Sequence, residues 1–127
     1  MTTYQSGFTI VFGGPDFQPE SFLHESDLEP NVVMHRGDLM SDGRAAEESW
    51  LEWYDIHKTT YLDAKREALY FLLDQQKELA RLSSFPGVDF RTLNFFGDAN
   101  SCSMTLSPED TALLHELGIQ VSVSVCS

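Results

Sequence analysis

Residues 7–12, Gly-Phe-Thr-Ile-Val-Phe, are a short run of β-branched and aromatic side chains that stops at Gly13-Gly14-Pro15. A run of this kind bounded by turn formers predicts a strand and then a turn. A short helix is expected next, because Pro19 fits a first helical position and Glu20 meets the positive end of the helix dipole. Phe22, Leu23 and Leu28 supply its apolar side, and Pro30 closes the segment. Residues 31–36 read as a second strand, with Gly37-Asp38 and Ser41-Asp42-Gly43 marking a loop or hairpin connection. In a third strand over 49–54, alternation sets Leu51 and Trp53 on one face and Trp50, Glu52 and Tyr54 on the other. At least one tryptophan is therefore expected away from the main core.

From 60 to 82 the spacing becomes helical, with Leu62, Leu69, Leu72, Leu73, Leu79 and Ala80 assigned to the apolar side. Lys65, Arg66, Glu67, Asp74, Lys77 and Glu78 then fall mainly on the solvated side, and Ser83-Ser84-Phe85-Pro86-Gly87 ends the helix. Residues 88–96 return to strand spacing, and Gly97-Asp98-Ala99-Asn100 is expected to turn the chain into a partner strand over 101–106. Ser107 can cap a helix opened by Pro108, Glu109 and Asp110, with Leu113, Leu114 and Leu117 as its apolar side and Gly118 as its stop. A last strand over 119–125 alternates Ile119, Val121, Val123 and Val125 with Gln120, Ser122 and Ser124. The order β-α-β-β-α-β-β-α-β predicts an α+β fold: a curved, mainly antiparallel sheet of six strands with three helices, two of them packed on one face.

Composition narrows the class. At 127 residues with 42% hydrophobic side chains, the chain is the size of a single domain, 1–127, with enough apolar surface to fold without disulfides or a metal. The start lacks the basic and apolar regions of a secretory signal, and the run from Phe8 to Phe12 is too short to span a bilayer, so a cytoplasmic setting is expected. Cys102 and Cys126 form no Cys-x-x-Cys motif and read as free buried thiols, with a bridge between neighbouring strands as the lesser alternative. The formal net charge is −12. Residues 1–55 hold eleven acids against Arg36 and Arg44, a balance of −9, while 56–127 hold nine acids against six bases, a balance of −3. This argues against nucleic acid and anionic membranes as partners, since both require basic patches.

The motifs that carry chemistry do not appear. His24, His35, His57 and His115 have no metal-ligand spacing among themselves or with the cysteines, and neither a metal nor a cofactor is expected. Adjacent acids such as Glu47-Glu48 and Glu109-Asp110 are chance neighbours in so acidic a chain, the second pair being explained by the helix dipole. Ser101-Cys102-Ser103 lacks the glycines of a nucleophile elbow, and Gly13-Gly14-Pro15 lacks the Gly-Lys-Ser/Thr of a phosphate loop. No catalytic residue is assigned.

The opening 8–13, the segment Asp16-Phe17-Gln18-Pro19-Glu20-Ser21-Phe22, the pair Ser49-Trp50 and the ending Leu106-Ser107-Pro108-Glu109 to Leu117-Gly118-Ile119 resemble a bacterial family, domain of unknown function 4279. The resemblance covers nearly the whole chain and implies a small bacterial protein. Its motifs are structural and bring no functional residues. Small acidic domains of this kind recur among bacterial immunity proteins, which is an association and not an identification.

What remains is an acidic surface with interleaved aromatics: Asp38, Asp42, Glu47, Glu48, Glu52 and Asp55 around Trp50, Trp53 and Tyr54. An acidic rim speeds encounter with basic proteins, and tryptophan or tyrosine anchors supply much of an interface's energy. The expected partner-binding set is Asp38, Asp42, Glu47, Glu48, Trp50, Glu52, Tyr54 and Asp55, for a non-catalytic protein that neutralises a basic partner such as a bacterial toxin. The competing interpretation places both tryptophans in the core and leaves the acids to solvate loops. Two further alternatives are an enzyme or small-molecule binder with a cleft unreadable from sequence, and a homodimer formed through a sheet edge.

Overall fold

The computed structural model describes residues 6–58, 60–98 and 104–126. In chain order these form β1 (Ser6–Gly14), α1 (Pro19–Leu23), β2 (Val32–Met34), β3 (Ser49–Lys58), α2 (Tyr61–Asp74), α3 (Gln76–Ser83), β4 (Phe90–Asp98), α4 (Pro108–Leu117) and β5 (Gln120–Cys126). The strands make one sheet in the order β2-β3-β1-β4-β5, antiparallel except for the β4–β5 pair. That pair is parallel because α4 carries the chain back between its strands, the crossover a parallel pair requires.

The alternation predicted for β1 and β3 decides which face is the core. Phe8, Ile10 and Phe12 of β1, Leu51 and Trp53 of β3, and Leu93 and Phe95 of β4 are all buried. Against them pack Tyr61, Ala64, Ala68 and Leu72 of α2, Leu79 and Leu82 of α3, and Leu114 and Leu117 of α4. Phe22 of α1 joins the same cluster, edge-on to Phe85 and beneath the Arg81 guanidinium, 4.3 Å from the ring centroid.

The fold class stands as α+β with a mainly antiparallel sheet, but the element count is corrected to five strands and four helices among the described residues. The helix expected over 60–82 is two helices, because Gln75, at φ −105° and ψ 18°, leaves helical geometry between α2 and α3. No glycine or proline marks this bend. The Gln75 amide still bonds the Phe71 carbonyl and the Leu79 amide bonds the Gln75 carbonyl, so the last turn of α2 and the first of α3 close on either side of the bend. Of the predicted apolar side of α2, Leu69 and Leu72 pack in the core, but Leu62 and Leu73 are 49% and 62% exposed. Ala64 and Ala68 face the sheet instead, small enough for the helix backbone to approach closely, while the Tyr61 hydroxyl donates to the Ser124 carbonyl at 2.8 Å.

Among the described residues the sixth strand does not appear. Gly97 and Asp98 continue β4 opposite Val125 and Cys126 where a turn was expected, and Met104 to Leu106 is not strand. Ser101 to Ser103, and with them Cys102, lie outside the described residues. Helix α4 matches its reading closely. Ser107 accepts from the Asp110 amide, the Asp110 carboxylate accepts from the Ser107 amide, and Gly118 closes the helix at φ +69°.

Candidate functional site

The sheet's second face starts with what β3 alternation leaves outside. Trp50, Glu52 and Tyr54 point away from the core, next to Met34 and Val32 of β2, Val11 and Thr9 of β1, and Phe90 and Thr92 of β4. Trp50 and Phe90 both pair with Gly13, and a Cβ at Gly13 would stand 2.6 Å from the Trp50 Cβ. The glycine therefore leaves room for the indole to lie against the sheet, where it is half-buried. The β4–β5 side of this face is polar instead, with Asn94 accepting hydrogen bonds from the Ser122 and Ser124 hydroxyls.

The loop between β2 and β3 builds a wall beside Trp50. Gly37 and Gly43 hold positive φ, and a bridge between Leu39 and Ala45 folds the segment on itself. Met40, Arg44, Ala45, Glu47, Glu48 and Trp50 then line an open hollow of about 290 Å³. Glu52 stays near by, its carboxylate accepting from the Trp50 indole N–H at 3.3 Å.

The eight sequence-predicted residues separate into three groups. Glu47, Glu48, Trp50 and Glu52 come together on the outer face. Asp38 and Asp42 are committed to the loop's own structure. Asp42 accepts from the Arg44 backbone amide and guanidinium, which hold its carboxyl below the usual aspartate range. Asp38 accepts from the His35 amide and faces the His35 ring at 3.3 Å. Tyr54 and Asp55 belong to a different hollow, where they line a cleft between the end of β3 and α2 together with Asn31, Trp53, Glu67, Tyr70, Phe71 and Asp74. Trp53 is 5% exposed and Trp50 half-buried, so the expectation that one tryptophan leaves the core holds.

No family model matches the chain, and no characterised protein or solved structure matches it.

Sequence reasoning missed three features. His35 stands between two carboxylates, its Nε2 2.7 Å from Glu20 of α1, an arrangement that no local motif announces. The hydrogen bond to Glu20 is the main cause that raises the His35 pKa above the ordinary histidine value, with Asp38 adding to it and slight desolvation opposing it. The second feature is the apolar strip Leu62, Leu69, Tyr70, Leu73 and Leu113, which with Lys65 and Arg66 lines a groove of about 570 Å³ between α2 and α4. A correct helix phase anchored on Ala64 and Ala68 would have shown it. The third is the cleft around Trp53, assembled from four separate segments and invisible to spacing. Among the described residues, no group of three or more His, Cys, Asp or Glu stands in a metal-holding arrangement, and no helix is long and apolar enough to cross a membrane.

Proposed function

We propose that this chain is a non-catalytic binding domain that receives a basic protein on the outer face of β3 and the adjoining loop, neutralising that partner by occlusion as an immunity protein does. The observation that carries the reading is Trp50 lying half-buried beside Glu47, Glu48 and Glu52 at the mouth of an open hollow. An aromatic anchor held against a glycine and rimmed by carboxylates suits a lysine- or arginine-bearing surface: the ring contributes desolvated area and the acids steer the encounter. The −9 balance of residues 1–55, which contain this surface, favours the same sign of partner. The resemblance to the domain of unknown function 4279 family, the bacterial origin it implies, and the cytoplasmic setting expected from the sequence belong to this proposal. Ligand binding is the second reading, favoured by the acidic aromatic cleft between β3 and α2.

The test is affinity capture from the producing cell with the native chain and with Glu47→Lys, Glu48→Lys and Glu52→Lys combined, at low and moderate salt. One basic protein should be retained stoichiometrically by the native chain, less at the higher salt, and lost from the reversed one while its circular dichroism is unchanged. Equal retention by both chains would contradict the surface proposed.

A further inference from the structure

The groove between α2 and α4 lies on the helical side of the molecule, away from the outer sheet face that carries Trp50. Leu62, Arg66, Leu69, Tyr70 and Leu73 follow one another along α2 three or four residues apart, so they form one stripe. Leu113 of α4 lines the other side. Leu62, Tyr70 and Leu73 are three of the seven large apolar side chains exposed among the described residues. Scattered singly they would need no explanation, but gathered along one groove they mark a contact surface. The charges of the groove balance, Lys65 and Arg66 against Glu109 and Asp110, whereas the Trp50 hollow and the two hollows that Trp53 borders carry net negative charge. Two of the four charged groups are engaged within the chain. Lys65 donates to the Thr105 carbonyl at 2.6 Å, and Asp110 accepts from the Ser107 amide at 3.0 Å. Arg66 and Glu109 are exposed, and among the described residues they form no hydrogen bond or ion pair, with each other or with any other group.

We propose that a second copy of this chain docks on this groove across a two-fold axis, each copy's Arg66 pairing with the other's Glu109 over a shared apolar strip. Every contact in a two-fold interface occurs twice, so a surface that carries both signs of charge beside one apolar strip is complementary to itself. A wholly acidic partner would meet Glu109 as well as Arg66, and a wholly basic one would meet Arg66. Two chains of net charge −12 repel each other over most of their surface, and the balanced groove is where they can approach. Burial of Leu62, Tyr70 and Leu73 supplies the attraction, and the reciprocal ion pairs set the register. So short a strip gives a weak association, of roughly micromolar order, and the dilute chain is monomeric. The Trp50 face stays free in the pair, so the inference is independent of the proposed function.

The test is sedimentation equilibrium of the native chain in about 0.15 M salt, where charges more than about 8 Å apart are largely screened. The mass should rise with concentration from one chain towards two, below about 1 mM. Arg66→Glu and Glu109→Arg should each weaken the association about tenfold or more, and the two combined in one chain should restore it. The first substitution makes the chain more acidic and the second less so, so a general charge effect would move them in opposite directions. Tyr70→Glu, at an exposed position, should abolish the dimer while its circular dichroism is unchanged. A native chain that stays monomeric, whether the groove is then empty or taken by a different protein, would overturn the proposal. A dimer indifferent to both charge reversals would also overturn it, placing the contact elsewhere, such as the open edge of β5. So would weakening by both reversals with no recovery in the combined chain.

Discussion

His35 shows how one side chain ties two elements together. Its ring joins Glu20 of α1 to Asp38 of the β2–β3 loop, and its pKa is raised chiefly by the hydrogen bond to Glu20. A raised folded-state pKa means that the contribution to stability is complete below the ordinary histidine value and is lost as pH rises through the raised one. Both partners are largely solvated, so the effect on overall stability is small. An NMR titration should place the His35 pKa above the ordinary value of about 6.5 in the native chain and return it towards that value in Glu20→Gln. An unshifted His35 would show that the clamp does not form. Nothing in the sequence announced this contact, because Glu20 and His35 sit on different elements and no period relates them. Trp50 and Trp53 were legible, since a strand's period of two assigns neighbouring odd and even positions to opposite faces wherever one face is buried.

At the scale of elements, period alone was a weaker guide for the helices. The spacing from 60 to 82 placed leucines together, but the sheet selects Tyr61, Ala64, Ala68 and Leu72 as the buried face of α2. Large leucines at 62 and 73 satisfy an apolar count equally well, so hydrophobicity did not fix the rotation. The small alanines did, by allowing close approach. Leu72→Ala should therefore cost about 2–5 kcal/mol in chemical denaturation, as expected for a fully buried leucine. Leu73→Ala, one residue on and mainly exposed, should stay within about 0.5 kcal/mol. Equal costs would put the helix phase in doubt. The first and last turns of α4 were readable because capping is local: Ser107, Pro108, Asp110 and Gly118 each act within a few residues. The break at Gln75 was not, since no glycine or proline marks it.

Over the whole molecule, the sheet divides the surface into regions of different chemistry. One face is closed by helices. The other presents Met34, Trp50 and Val11 on β2, β3 and β1, Phe90 at the start of β4, and hydroxyl-rich polar groups towards β5. Strand order determines which loops lie beside which face, and neither composition nor periodicity encodes it. This is why Asp38, Asp42, Tyr54 and Asp55 were grouped with Trp50 by proximity in sequence although none of the four lines the Trp50 hollow. The charge imbalance was legible from the start, and it puts most of the net negative charge in residues 1–55, which include the β2–β3 loop and most of β3.

The measurement that tests the central claim most directly is an amide-shift map of the isotope-labelled chain bound to the basic protein it captures. The account predicts perturbations concentrated at residues 40–52, over the loop and the outer face of β3, with α2 and α4 unaffected. Perturbations confined to the helical side, with Glu47, Glu48, Trp50 and Glu52 unchanged, would contradict it.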